Sequence, residues 1–156
     1  MTGGNEITSK GRCLCGRVTF EISSAPAMTL ACHCKGCQRL TSSAYSVSGV
    51  FPREAFTLTS GEVVIGALHG DARHYYCDHC KTWVYTVPPG EAPVWNVRLT
   101  LLDKPPAGKP HVEMFLDEAL DWALIGSPHQ YRGFAPPGDF AALADSFAAR
   151  NAEKAD

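Results

Sequence analysis

Hydrophobic and polar residues alternate over much of this chain, which is the pattern of β-strands that bury one face. Turn-forming serine, glycine and proline residues separate the alternating segments at short intervals, which leaves little room for helices that connect parallel strands. The segments comprise residues 17–22, 45–51, 56–59, 82–87, 95–101 and 111–116. The pattern therefore predicts one compact domain that is mainly β and predominantly antiparallel.

The clearest helical pattern lies near the C-terminus. Phe140, Leu143, Ala144 and Phe147 fall on one face at helical spacing, which predicts an amphipathic helix. Asp139 directly precedes them and is a candidate N-cap, because its carboxylate could accept a hydrogen bond from the first turn. We expect a C-terminal helix and tail over residues 136–156.

Composition narrows the class of protein without identifying a function. The 156 residues suffice for one domain with a core, and 14 basic against 16 acidic residues give a net charge of −2. No strong field is therefore expected to attract nucleic acid or an anionic membrane. No apolar run reaches the roughly 20 residues that span a bilayer, and the N-terminus lacks the apolar core of a secretory signal. We expect a cytoplasmic protein with a flexible N-terminus over residues 1–10, in a compartment where disulfides are rare.

Seven cysteines are the most informative residues of the chain, since they form three tight clusters. The clusters are Cys13 and Cys15, then Cys32, Cys34 and Cys37, then Cys77 and Cys80. The odd number leaves one thiol unpaired in any complete disulfide scheme, and thiols one or two residues apart suit a metal ion better than each other. We therefore interpret the cysteines as metal ligands, divided into a set of four and a set of three.

The first and last clusters together predict a closed site with four thiolates. Cys13 and Cys15 are followed by Gly16, which permits a tight turn around the sulfur atoms. Cys77 and Cys80 form a CxxC pair, which presents both sulfurs from one turn. Four such thiolates make a tetrahedral zinc centre with Zn–S distances of about 2.3 Å, which would join two hairpins. The alternatives are a buried thiol pair without metal and a rubredoxin-like iron centre, although the latter usually draws on two CxxC pairs.

The middle cluster predicts a different kind of site. Structural zinc normally has four protein ligands, whereas catalytic zinc has three and keeps one position for water or substrate. His33 lies between two of these cysteines, and its side chain should diverge from theirs in an extended segment. The trio therefore favours an open, exchangeable zinc. The alternatives are a thiol cluster without metal and a structural site completed by a distant histidine, namely His69, His74, His79, His111 or His129.

Three segments carry a resemblance to a known family. GRCLCGRVTFEI, ACHCKGCQRLTSSAYSV and HYYCDHCKTWVY resemble, in order and spacing, the glutathione-dependent formaldehyde-activating (GFA) family, which includes the centromere protein V group. The resemblance covers residues 11–87, with a weaker continuation through Trp122 to residues 130–134. It implies an Mss4-like fold, a zinc-containing antiparallel β fold with short helices, over a domain of residues 11–135.

The same resemblance implies roles for the cysteines and a reaction. In the founding enzyme of the family the four-thiol set holds a structural zinc, which corresponds here to Cys13, Cys15, Cys77 and Cys80. The middle trio holds a catalytic zinc and corresponds to Cys32, Cys34 and Cys37, so two zinc ions are expected per chain. The implied reaction joins glutathione and formaldehyde into S-hydroxymethylglutathione and is classed with the carbon–sulfur lyases. A lyase for another thiol adduct, or a non-catalytic zinc-binding or thiol-sensing module, remains an alternative.

Residues near the trio are candidates for contact with the substrate. Glutathione carries two carboxylates, and the basic residues nearest the trio in sequence are Lys35 and Arg39. Further candidate contacts are Arg53 and Arg98 for charge, and Tyr45 and Trp83 as aromatic walls. Two residues stand where the family commonly has glycine, namely Ser42 and Lys81. We expect Lys81 to reshape the turn at the four-thiol site and Ser42 to alter the floor of the substrate site.

Overall fold

The computed structural model of the protein describes residues 8–154, which belong to two compact units. The first unit comprises residues up to 26 together with 51–106, and the second comprises residues 27–50 together with 107 onward. The strands are β1 (Ser9–Arg12), β2 (Thr19–Ile22), β3 (Met28–Cys32), β4 (Ser46–Pro52), β5 (Phe56–Ser60), β6 (Val63–His69), β7 (Ala72–Cys77), β8 (Trp83–Val87), β9 (Val94–Arg98), β10 (Val112–Met114) and β11 (His129–Gln130). The α-helices are α1 (Lys35–Thr41) and α2 (Phe140–Glu153).

The first unit contains two sets of antiparallel strands. In one set β2 lies between β1 and β5, and in the other β6, β7, β8 and β9 pair in chain order. Gly11 in β1 pairs with Phe20 in β2, and a Cβ atom at Gly11 would come within 2.3 Å of the Phe20 ring. Glycine at this position therefore allows β1 to cover the aromatic ring closely.

Alternation along β2 builds the core of the first unit. The side chains of Val18, Phe20 and Ile22 are buried, whereas Thr19 between them is partly exposed. Phe20 also stacks on Phe56 of β5, with ring centroids 5.1 Å apart. Burial of these apolar side chains is the main force that holds the strands together.

In the second unit β3 is the central strand. It pairs antiparallel with β4 and parallel with β10, and β11 extends the sheet beyond β10 in the parallel sense. Four of the five residues of β3 are buried, as expected for a strand covered on both faces. Helix α2 contacts β3 and places Leu143 and Phe147 in the core.

The mainly β prediction is confirmed, together with the C-terminal helix. Three strand predictions were too long by two or more residues. The segment predicted over 17–22 is a strand only over Thr19–Ile22. The segment predicted over 95–101 ends as a strand at Arg98, and Leu99–Leu101 forms a 3-10 helix instead. The segment predicted over 111–116 is a strand only over Val112–Met114. It also pairs in the parallel sense, which alternation alone does not indicate.

Asp139 lies at the predicted N-cap position of the C-terminal helix, but its side chain does not make the expected capping hydrogen bond. The Asp139 carboxylate instead accepts a hydrogen bond from the Tyr131 hydroxyl at 3.0 Å. Pro137–Asp139 already form a 3-10 turn that leads directly into α2. The helix is therefore held by its buried face rather than by that cap.

The predicted domain boundaries stay predictions at both ends of the chain. Residues 1–7 of the expected flexible N-terminus lie outside the described residues, whereas Ser9 and Lys10 belong to β1. Within residues 8–154 no helix is both long and apolar enough to cross a membrane.

Candidate metal centres

The four-thiol set comes together in the first unit at the ends of two hairpins. Cys13 and Cys15 follow β1, Cys77 ends β7, and Cys80 lies in the turn before β8. All four sulfur atoms lie within 4.8 Å of one another. The Cys13–Cys15 and Cys15–Cys77 sulfur distances are 3.5 and 3.9 Å. Sulfurs at the corners of a zinc tetrahedron lie about 3.8 Å apart, so these residues fit a zinc ion.

Thr82 joins the two cysteine loops, and sequence reasoning missed it. Its hydroxyl oxygen accepts a hydrogen bond from the Leu14 N–H at 3.1 Å and lies 3.1 Å from the Cys80 sulfur. Backbone N–H groups also donate to the thiols, from Val18 to Cys13 at 3.3 Å. Burial raises the pKa of Cys80, but the hydrogen bonds led by Thr82 outweigh it and lower that pKa to about 5. These hydrogen bonds therefore stabilise the thiolate of Cys80, the form that binds metal. At Cys15 a backbone hydrogen bond at Arg17 lowers the pKa, but burial and the neighbouring thiols outweigh it and raise that pKa to about 11.

The three-thiol set comes together in the second unit where β3 leads into α1. Cys32 ends the strand, Cys34 is the N-cap of the helix, and Cys37 lies within the helix. The three sulfur atoms lie within 4.8 Å of one another. The Cys37 N–H donates to the Cys34 sulfur at 3.3 Å. Hydrogen bonding with Cys34 and Cys37, together with burial, raises the pKa of Cys32 well above its ordinary value. A bound cation reverses such a shift, since coordinating thiols are deprotonated.

None of the five distant histidine candidates joins the trio. Among residues 8–154, the group of mutually close ligand atoms at this site consists of the three sulfurs alone. The His74 ring hydrogen bonds with Thr86 at 2.8 Å, while His111 and His129 both hydrogen bond with Ser146, at 3.1 and 3.0 Å. The trio therefore has the ligand number of a zinc site with an open position.

His33 turns away from the trio and contacts a buried carboxylate. Its Nε2 atom lies 2.8 Å from Oε1 of Glu113 in β10, and neither side chain is exposed. Burial raises the pKa of Glu113, but hydrogen bonds from Ile125, Ser127, Gln130 and His33 outweigh it, so the net shift is downward. Glu113 was missed in the sequence, where a glutamate between two apolar residues of a short strand is typical of a solvent-facing position.

The predicted glutathione contacts differ in their surroundings. The Lys35 ammonium donates to the backbone oxygen of Glu118 at 3.1 Å and to Gln38 at 3.4 Å, and the Lys35 backbone N–H donates to the Glu118 carboxylate. Arg39 is exposed on the same helix. The more distant candidate Arg98 is buried in the first unit. Its guanidinium lies 4.0 Å above the Trp83 ring.

A cleft of about 430 Å³ lies in the second unit, where Tyr45 of its lining directly precedes Ser46, the residue of β4 that pairs with Cys32. Residues 43–45 and 122–125 line it, and none of their side chains is charged. Trp122 and Leu124 are exposed by 76% and 56%. Tyr45 packs 5.1 Å from His33, measured between ring centroids, and the Ile125 N–H donates to Glu113 at 2.8 Å. Both walls of the cleft therefore contact the His33–Glu113 pair.

Both positions at which the resemblance predicts glycine have left-handed backbones. The φ angles are 49° at Ser42 and 58° at Lys81. The Ser42 N–H donates to the Gln38 carbonyl and ends α1, and the Lys81 N–H donates to the Cys77 carbonyl at 3.0 Å. Glycine adopts this conformation freely, whereas other residues lose about 1–2 kcal/mol. Both departures thus occupy positions that favour glycine.

We expect Lys81→Gly to be more stable than Lys81→Ala by about 1 kcal/mol, because only glycine relieves the left-handed strain. Both variants lose the exposed ion pair between Lys81 and Asp78, so their difference isolates the backbone effect. Denaturant unfolding of the zinc-loaded proteins measures it. Equal stability of the two variants would show that the backbone at residue 81 carries no strain.

Comparison with known proteins agrees with the cysteine pattern. The chain matches the family model described as glutathione-dependent formaldehyde-activating enzyme over residues 8–118, a stretch that contains all seven cysteines. No curated protein matches the chain. A crystal structure of a Rhodobacter sphaeroides protein, determined as a structural genomics target, is similar with a TM-score of 0.50. The two sequences are 19% identical, and the match covers 60% of this chain and 87% of the Rhodobacter chain. This likeness therefore concerns the fold alone.

Proposed function

The chain belongs to the glutathione-dependent formaldehyde-activating family, and we propose that it is a zinc-dependent enzyme of the carbon–sulfur lyase class. Its proposed substrate is a thiol–aldehyde adduct, with glutathione and formaldehyde as the first candidate pair. The observation that best supports this function is the trio of sulfurs within 4.8 Å of one another, with no fourth ligand atom among the described residues. A three-ligand zinc site leaves a position for substrate.

The two cysteine sets have separate roles in this proposal. The set that joins the hairpins of the first unit would hold a structural zinc, and the trio would hold an exchangeable one. When bound at the trio, zinc would supply thiol deprotonation and carbonyl polarisation. Within the trio, Cys34 and Cys37 are buried while Cys32 is partly exposed. In the reaction a bond forms between the thiol sulfur and the aldehyde carbon, and the thiol proton passes to the carbonyl oxygen.

The surroundings of the trio bear on the substrate. Arg39 is exposed on α1 and is the better placed of the two predicted partners for a glutathione carboxylate, since Lys35 already donates to Gln38 and to Glu118. A second candidate function rests on the uncharged cleft whose residues Tyr45 and Ile125 contact the His33–Glu113 pair. An aromatic cleft favours an adduct with an apolar substituent over one with two carboxylates.

Exchange NMR spectroscopy tests the first candidate. We expect the zinc-loaded protein to accelerate formation of S-hydroxymethylglutathione over the spontaneous reaction. Arg39→Ala should raise KM for glutathione and leave KM for a small neutral thiol unchanged, because only glutathione offers carboxylates to the guanidinium. Without acceleration, glutathione with formaldehyde is not the substrate pair.

The same assay with an aromatic thiol tests the second candidate. We expect acceleration that Trp122→Ala reduces for the aromatic thiol and spares for a small neutral thiol, because the indole forms part of the cleft. A protein that accelerates neither reaction would exclude both candidate substrates and favour a non-catalytic zinc-binding module.

A further inference from the structure

The Glu113 carboxylate is the most heavily bonded buried charge in the second unit. Glu113 lies in β10 with no exposed surface. Five groups donate hydrogen bonds to it, namely His33 Nε2, the backbone N–H groups of Ile125, Gly126 and Ser127, and the Gln130 amide. A buried carboxylate is unfavourable unless donors surround it, so these bonds hold their segments in place.

On one side, Glu113 holds the segment between β3 and α1 that carries the cysteine trio. His33 stands between Cys32 and Cys34, and its ring bond to Oε1 of Glu113 measures 2.8 Å. The His33 Nδ1 atom has no hydrogen-bond partner among residues 8–154. The Glu113 bond, together with the Tyr45 ring 5.1 Å away between centroids, therefore holds the orientation of the His33 ring. Because the two cysteines flank His33 directly, that orientation also restricts the directions of their side chains.

On the other side, Glu113 holds one wall of the cleft. Its oxygens accept the N–H groups of Ile125, Gly126 and Ser127 at 2.8, 3.1 and 3.1 Å. Ile125 itself lines the cleft, directly after the exposed Trp122 and Leu124. The Glu113 carboxylate therefore holds the backbone at Ile125, the last residue of this wall of the cleft.

We propose that Glu113 is a positioning residue that holds the cysteine trio and the cleft wall in a fixed relation through a single carboxylate. The inference deepens the proposed function, on which it rests, because it identifies what aligns the metal ligands with the substrate cleft. A merely structural ion pair would stabilise the second unit without influencing the metal. The two roles are separable, since His33 and Gln130 donate to the same carboxylate but only His33 adjoins the cysteines.

The test compares metal binding at the trio in three variants of the full chain. His33→Leu removes the donor beside the cysteines, His33→Gln retains a donor at the same reach, and Gln130→Leu removes a donor remote from the cysteines. Cobalt(II) is the probe, because thiolate-to-cobalt absorption reports affinity and coordination geometry without any catalysis. The four-cysteine site serves as an internal reference in each protein.

We expect His33→Leu to weaken cobalt binding at the trio by about 10- to 100-fold and to alter its absorption spectrum, as happens when support of metal ligands is lost. His33→Gln should recover most of the affinity, and Gln130→Leu should match the parent protein. Parental affinity in His33→Leu, or equal weakening by Gln130→Leu, would overturn the positioning role. Should His33→Leu fail to fold, Glu113→Gln is titrated in its place, with the same weakening expected and parental affinity overturning the proposal.

A kinetic measurement separates this inference from the proposed function. Cobalt affinity can be measured whether or not the protein is an enzyme. An inactive parent protein would therefore contradict the proposed function but would leave the test of the positioning role intact. In an active protein, Glu113→Gln should raise KM and lower kcat, because it loosens both the cleft wall and the trio. His33→Leu should lower kcat with little change in KM. Identical effects of the two variants on KM would contradict the link to the cleft.

Discussion

Replacing Cys77 with alanine is expected to lower the free energy of unfolding by more than about 5 kcal/mol, enough to unfold many domains. Cys77 ends β7 with 1% of its surface exposed, and its backbone N–H donates to the Thr82 carbonyl at 2.9 Å. Under the proposed division of roles, its sulfur helps a zinc ion to join two hairpins. The free energy of binding structural zinc is also folding free energy, so loss of one ligand acts on the whole unit.

Thermal and denaturant unfolding at matched zinc concentration measure this effect, with zinc content determined on the same samples. The matched control is Cys34→Ala, which removes an equally small, buried thiol from the other set. Equal destabilisation by Cys77→Ala and Cys34→Ala would contradict the division into a structural and an exchangeable site. A Cys77→Ala protein that keeps both ions would contradict the ligand assignment itself.

Replacing Cys34 with alanine is expected to abolish metal binding at the trio and reduce adduct formation by at least about 100-fold, because metal activation is worth several kcal/mol. The stability loss should stay near about 1 kcal/mol. That is the usual contribution of an N-cap, and the Cys34 sulfur accepts the Cys37 N–H at 3.3 Å in that role. If the second unit stays folded without the ion, the metal at the trio serves the reaction rather than the stability of the fold.

Cys34→Ser is the informative companion, because a serine hydroxyl caps a helix well and binds zinc weakly. It should recover the stability and leave the activity low. Circular dichroism, unfolding curves and single-turnover rates on the three proteins decide the point. Full activity in either variant would place the chemistry elsewhere in the molecule.

Much of the fold and the grouping of the thiols could be read from local patterns. Strand β8 coincides with its alternating residues, and the buried face of α2 follows from Leu143 and Phe147. Local spacing brings Cys34 close to Cys37, because both belong to one helical turn. The family match confirms the resemblance that the cysteine segments carry.

Other features depend on long-range pairing, which no local pattern specifies. The parallel register sets Glu113 of β10 beside Ala31 of β3. It thereby turns an apparent surface glutamate into the partner of His33, 80 residues away in sequence. Thr82 likewise reads as an ordinary strand-edge residue until the Leu14 N–H is found 3.1 Å from its hydroxyl. The left-handed backbone at Lys81 has one sequence signal, which is a lysine where the resemblance predicts glycine.

The most direct test of the two-site proposal is a zinc count on freshly purified protein, followed through a chelation time course. We expect two zinc ions per chain, one released rapidly by chelator and one retained until the protein unfolds. Cys34→Ala should lack the rapidly released ion alone, and a thiol substrate should slow that release in the parent. A single inert zinc ion per chain would contradict the proposed exchangeable site at Cys32, Cys34 and Cys37.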